Sequence, residues 1–244
     1  LGLKSIEIRQ SDGSVKTIGC DVLGVSGGWN PSVHLTCHMN GRPIWDPALA
    51  SFTPQPGAIP GLVAAGSAAG EMSTQGALAQ GQAEALTLAK ALGKRVKPSA
   101  LPIADATPYE ITPFWDVGGT GRGWLDFQND VTVKDIKQAV QENFRSVEHM
   151  KRYTTQGMAT DQGKNSNVAA LAVLADATGR GIPETGTTTF RPPYVPVALA
   201  ALGAGGHGKG FAPERLLTSD RISRERGAPM VEAGLWYRPS YFPQ

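Results

Sequence analysis

Polar and apolar positions alternate at the start of the chain. Lys4-Ser5-Ile6-Glu7-Ile8 and Ser14-Val15-Lys16-Thr17-Ile18 both step with a period of two, and Asp12-Gly13 lies between them. Asp-Gly supplies the positive φ angles of a tight type I′ turn, so the pattern predicts a β-hairpin. Asp21 to Gly28, with Val22, Leu23 and Val25, predicts a buried strand that runs into a glycine turn. Asn30 to Pro60 has no period and predicts an irregular stretch. Leu62 to Ala65, apolar between Gly61 and Gly66, predicts another short strand. From Thr74 to Leu92 the period becomes helical, with Ala77, Ala83, Leu86 and Ala89 on one pattern and Gly93 suited to the C′ position.

Proline divides the chain. Ten prolines lie from Pro31 to Pro113, none between Phe114 and Ile182, and eight from Pro183 to Pro243. A proline-free stretch between proline-rich ones predicts a helical module. Thr132 with Asp135 forms a capping box in which Asp replaces the usual Glu or Gln. Val133, Ile136 and Val140 follow at helical spacing, and Asn143 suits a left-handed close. Ser146 suits the cap of a second helix carrying Val147 and Met150. A third helix spans Asn167 to Thr178, with Val168, Leu171, Ala172 and Ala175 on one face, stopped by Gly179 and Pro183. Residues 186–244, with Phe190-Arg191-Pro192-Pro193-Tyr194 and an aromatic run from Trp236 to Pro243, predict extended chain laid over a partner surface. Residues 203–210 predict a flexible glycine loop.

Composition narrows the classes. Of 244 residues, 41% are hydrophobic and 18% charged, which excludes disorder over most of the length. A formal charge of +2 disfavours nucleic acid as the main partner. Cys20 and Cys37 are the only cysteines, too few for a disulfide framework or a cysteine-only zinc or iron–sulfur site. No apolar run reaches the length of a membrane span. Leu1-Gly2-Leu3-Lys4 does not read as a signal peptide, and the missing Met predicts a piece of a longer chain.

Candidate chemistry is concentrated in two places. The first is Gly66-Ser67 followed by a helix opening at Thr74-Gln75-Gly76. A helix N-terminus offers N–H groups and partial positive charge to an anion, and Gly76 and Gly81, poor helix formers, suit a close backbone approach. A tight connection with no ligand fits the same residues equally well. The second is Lys151, Arg152, Thr154, Thr155 and Lys164, cations and hydroxyls that suit a phosphate. Composition alone makes this a solvated helix end. His34 and His38 stand four apart beside Cys37, a metal pair only on a helix. Pro31 and Pro43 bracket them, which favours a structural role. His149 sits among charges and His207 in the glycine loop.

Four runs carry a resemblance: Trp124 to Ile136, Phe144 to His149, Lys151 to Lys164, and Thr187 to Tyr194. With Ser26-Gly27-Gly28-Trp29-Asn30-Pro31-Ser32-Val33-His34 and Trp236 to Pro243, they resemble the alpha subunit of heterotetrameric sarcosine oxidase. The resemblance implies an α+β chain of three parts. Residues 1–104 would be the C-terminal portion of a two-dinucleotide-binding α/β fold, without its G-x-G-x-x-G fingerprint. Residues 105–185 would be a small helical module like a [2Fe–2S] domain. Residues 186–244 would be an extended segment, and the family's folate-binding domain, which serves tetrahydrofolate and one-carbon metabolism, would lie outside these 244 residues.

The resemblance further implies NAD at Gly66, Ser67, Thr74, Gln75 and Gly76. Ser67 stands where related flavoproteins place an Asp on a cofactor sugar. It implies FMN at a subunit interface near Lys151, Arg152, Thr154, Thr155 and Lys164. Asp126, Gln128, Asp161 and Ser166 stand where related domains have cysteines, so no iron–sulfur cluster and no metal is expected. Partners would be beta, gamma and delta subunits in the cytoplasm, with FAD and amine oxidation on beta. No catalytic residue is assigned here, and the isolated chain would be inactive. Two rivals remain: a subunit of an N-methylglutamate or hydroxyproline dehydrogenase, and a scaffold that binds no small molecule.

Overall fold

The computed structural model describes residues 2–119, 121–203 and 214–244. His207 and all but the first residue of the predicted glycine loop lie outside them. The chain divides into two units, Leu1–Ala159 with Gly163–Arg191, and Thr160–Gln162 with Pro192–Gln244.

In the first unit, β1 (Ser5–Arg9) pairs antiparallel with β2 (Val15–Gly19) around Gly13, whose φ is +83°. The hairpin is nearly bare, with Val15 57% exposed. Asp21 to Gly28, read as a buried strand, takes no strand structure, and Val22 and Val25 are more than 80% exposed. Leu62 to Ala65, also read as a strand, has no ladder partner among the described residues, although Ala65 is extended. An apolar run becomes a strand only where a neighbour takes its N–H and C=O groups, and here none does. The stretch read as irregular contains a short hairpin, β3 (Ile44–Asp46) with β4 (Ser51–Thr53). Trp45 and Phe52 face each other in its register, edge to face at 5.2 Å.

The helix α1 (Thr74–Ala91) forms as its period predicts. The Ser73 side chain accepts from the Gly76 N–H. At the other end Gly93 has φ +71°, and the Lys94 N–H reaches the Ala89 carbonyl, a Schellman close. None of its residues is buried.

The helical module contains the core. The strands β5 (Trp124–Asp126) and β6 (Val131–Thr132) lead into α2 (Val133–Gln141), α3 (Val147–Thr154), α4 (Asn167–Thr178) and α5 (Ile182–Thr185). The local signals hold in detail. Thr132 and Asp135 form the reciprocal capping box, Asn143 has φ +71°, Ser146 caps α3, and Gly179 closes α4 at φ +68°. Pro183 stops α4 and also occupies the first turn of α5, where its missing N–H costs nothing. Ile136, Met150 and Leu174 are fully buried with Leu125, Val131 and Val173 around them. Each such side chain contributes about 1.5–3 kcal/mol of burial. α4 buries every residue from Ala170 to Ala175, so it is covered all round rather than on one face.

The second unit, read as extended chain, has regular structure of its own. A short α6 (Leu199–Leu202) precedes β7 (Arg215–Leu216), α7 (Asp220–Glu225), β8 (Met230–Ala233) and β9 (Trp236–Pro239). The strands form one sheet in the order β7-β9-β8. Leu235 at φ +71° beside Gly234 makes the β8–β9 turn, a local signal hidden among aromatics and prolines.

Candidate functional site

At the first candidate place, Gly66 opens a short 3-10 turn, Gly66–Ala69, at φ +64°. An added Cβ there would stand 3.3 Å from that of Ala77, so the turn packs directly on α1. The amides are used within the chain. The Gly66 N–H donates to Gln80 Oε1 at 2.8 Å, the Gln75 N–H to the Asp105 carbonyl at 2.8 Å, and the Gly76 N–H to Ser73 Oγ at 3.0 Å. Glu71 lies against the same turn. Its Oε1 accepts from the Ser73 N–H and hydroxyl, and these bonds hold its carboxyl below the usual range. Its carboxylate also fills the space that a Cβ on Gly76 would take. This helix start therefore already faces an anion from its own chain. A diphosphate does not fit these amides as they stand, whereas the exposed Ser67 hydroxyl remains open to a sugar.

The second candidate group is engaged within the chain. Lys151 Nζ reaches the Thr189 carbonyl, and Arg152 pairs with Glu148 at 3.3 Å on the exposed side of α3. Thr154 and Thr155 serve the end of that helix. Thr154 Oγ1 donates to the Met150 carbonyl and accepts from the Gln156 N–H, while Thr155 is left-handed at φ +63°. Lys164 lies in the wall of a cavity described below, with Thr187 and Phe190.

Asp126, Gln128 and Ser166, read as standing in place of cluster cysteines, are bonded to their neighbours through oxygen and nitrogen. Asp126, 3% exposed, accepts from the Gln128 and Asn129 N–H groups at Oδ1 and from the Gly157 N–H at Oδ2. The fully buried Gln156 donates to Ser166 Oγ at 2.8 Å. Among the described residues no group of three or more His, Cys, Asp or Glu could hold a metal ion. His34 and Cys37 lie on and after a 3-10 turn, His34–Thr36, and Cys37 is buried, which raises its thiol pKa.

The missed feature is a cavity of about 270 Å3 within the first unit. It lies between residues 28–34, the start of α4, and residues 187–190, and Trp29, His34, Phe52, Lys164, Asn167 and Phe190 line it. His34 meets Phe190 edge to face at 6.1 Å. Burial, and then the Lys164 charge, hold the His34 imidazole below its usual pKa. No local pattern signals this cavity, because its walls come from three distant parts of the chain.

The resemblance read from the residues is borne out. Residues 120–206 match the sarcosine oxidase A3 domain. The chain is 41% identical, over 99% of its length, to the sarcosine oxidase subunit alpha of Rhizobium meliloti (strain 1021). It is 38% and 37% identical to those of Corynebacterium sp. strains P-1 and U-96, over 95% and 98% of its length. It spans about a quarter of the length of these relatives, 25–26%. A crystal structure of L-proline dehydrogenase from P. horikoshii superposes with a TM-score of 0.58 at 18% identity, covering 80% of this chain and 41% of that one. At that identity the likeness concerns the fold.

Proposed function

We propose that the chain is part of the alpha subunit of a multisubunit flavoenzyme that oxidatively demethylates sarcosine. One observation carries this reading: the likeness to sarcosine oxidase alpha subunits is continuous, at 37–41% identity over 95–99% of the chain. It runs through the crossover before α1, the helical module and the C-terminal sheet alike. In this reading the amine is oxidised on an FAD-bearing beta subunit, with gamma and delta completing the assembly in the cytoplasm. This chain contributes binding surface and no catalytic residue.

Two cofactor contacts follow, both proposals. An NAD sugar would meet the Ser67 hydroxyl, with the diphosphate away from the Ser73 and Gln75 amides that Glu71 and Asp105 already use. FMN would approach the exposed α3 cations, Lys151 and Arg152, which suit a phosphate better than Thr154 and Thr155 in their capping roles. FMN, when bound, supplies the redox centre that hands electrons on to oxygen.

The filled helix start favours a second reading, in which this part of the subunit is a scaffold without a nucleotide. The test is the full-length polypeptide assembled with its FAD-bearing partner. Sarcosine-dependent oxygen uptake is expected, with an absorbance spectrum showing both flavins. Uptake on N-methylglutamate or hydroxyproline instead of sarcosine would replace the substrate. Full sarcosine activity with no calorimetric signal for NAD would leave the scaffold reading for residues 66–76.

A further inference from the structure

The cavity beside α4 has walls that neither proposed cofactor contact uses. Its volume, about 270 Å3, lies below the roughly 300–1,000 Å3 of pockets that take drug-sized molecules. A dinucleotide is too large for it, and a small metabolite is not. Three aromatic rings stand in its wall. Phe52 and Phe190 are buried, with Trp45 against the first and His34 against the second. Trp29 is the third, and it is 74% exposed. Its backbone is nonetheless clamped. The Trp29 N–H donates to the Tyr109 hydroxyl at 2.9 Å, and that hydroxyl donates to the Trp29 carbonyl at 3.3 Å. Gly28 before it is left-handed at φ +84°, and Tyr109 fills the space that a Cβ there would take. A large ring held in position yet left in water offers a flat apolar face to a partner, with little ordering left to do.

The wall has no charge to spare. Lys164 carries the sole formal charge among the described lining residues, and it is engaged within the chain. The Asn167 N–H that opens α4 is taken by the Gly163 carbonyl at 2.8 Å, and the Asn167 side chain donates to Thr188. An anion would therefore lose its water without gaining a cation. The uncharged groups differ. Asn30 Oδ1 accepts from the Ser51 hydroxyl at 2.8 Å, which orients the amide and leaves its NH2 group as a donor. The side chains of Asn165 and Thr187 have no hydrogen-bond partner among the described residues. Asn165 offers an acceptor as well as donors, and Thr187 offers both through one hydroxyl. Asn30 and Asn165 are exposed, so water serves them until a ligand replaces it. A group that matches all three must accept, donate and be neutral.

The geometry points to a binding site for a small neutral aromatic carboxamide. Its carbonyl accepts from Asn30 Nδ2, and its N–H groups donate to Asn165 Oδ1 and the Thr187 hydroxyl. Its ring rests on Trp29, with Phe52 and Phe190 on the apolar side. The walls lie within one unit of this chain and include none of the residues given a cofactor contact above.

Benzamide is the probe, titrated into the 244-residue chain by calorimetry. Saturable binding is expected, in the millimolar range or tighter. Benzoate, of the same shape but charged, should bind about tenfold more weakly or worse, since no wall group is left to pair with its charge. Asn30→Asp keeps the shape and the acceptor for Ser51 but removes the donor, and it should weaken benzamide about tenfold or more. Trp29→Ala should weaken it several-fold and Trp29→Phe should keep most of the affinity, whereas Trp124→Phe, outside the cavity, should leave it unchanged. Circular dichroism reports whether Asn30→Asp folds, and the benzoate and Trp29 arms decide if it does not. Heat that never saturates overturns the assignment, and so does benzoate binding as well as benzamide. FMN that competes with benzamide overturns it too, since the cavity would then belong to a flavin.

Discussion

Asp126 ties two loops together through three backbone N–H groups, and its carboxylate has an acceptor for each. Asn in its place would turn one acceptor into a donor aimed at a donor. Asp126→Asn is therefore expected to cost about 2 kcal/mol, from a lost charge-assisted bond and an unmatched buried N–H. Urea denaturation would show it as a lower midpoint at unchanged slope, and an unchanged midpoint would mean that the loops hold without it. His34 tests a different balance. Its folded pKa is lowered, by burial first and by Lys164 second, so the folded state binds fewer protons than the unfolded one near pH 6. Stability from this group is present above the unfolded value of about 6.5 and is lost as pH falls through the lowered value. Lys164→Gln should raise the His34 pKa only part of the way back, because burial remains. Proton NMR of the imidazole would measure both values, and a full return would make the charge the main cause.

At the scale of elements, end signals decide stability where side-chain burial is small. Thr132→Ala removes one half of the capping box and is expected to cost about 1 kcal/mol. Two glycines make a sharper pair. Gly179 and Gly163 are both left-handed, at φ +68° and +71°. A Cβ on Gly179 would meet nothing within 4 Å. On Gly163 it would fall 2.8 Å from the Gly157 backbone and closer still to the Asn167 side chain. Gly179→Ala should cost about 1 kcal/mol of backbone strain. Gly163→Ala should cost about 3 kcal/mol, because the clash adds to the strain. Thermal melts would rank them, and equal shifts would remove the close approach from the account. The same contrast explains what was legible in the sequence. The capping box, Ser146, Asn143 and Gly179 are local, so the three helices of the module could be read with their ends. Strands need a partner, and for Asp21 to Gly28 and Leu62 to Ala65 the hydrophobic pattern says nothing of whether one is present. The cavity was less legible still, since His34, Lys164 and Phe190 meet only through the fold.

At the scale of the whole molecule, burial is unevenly spread, and this has a measurable consequence. The fully buried large apolar side chains, Ile136, Met150, Leu171 and Leu174, all lie in the helical module. The first hairpin buries nothing, α1 buries nothing, and Val22 and Val25 meet water almost fully. A local opening costs about what it exposes, so opening free energies should run from near zero in residues 2–29 up to the global value in α2 and α4. Hydrogen exchange followed by mass spectrometry would read this directly. Peptides from α2 and α4 should exchange last, by several orders of magnitude, while the β1–β2 hairpin exchanges early despite its regular ladder. The exposed apolar side chains of 21–25 and the C-terminal end of α1, Leu88 and Leu92, should bind a hydrophobic dye under native conditions. Replacing Val22 and Val25 together by Thr should reduce that binding without lowering the melting temperature, since neither side chain has packing to lose. A lower melting temperature would show that these residues are covered in solution, and the early exchange expected of residues 2–29 would fall with it.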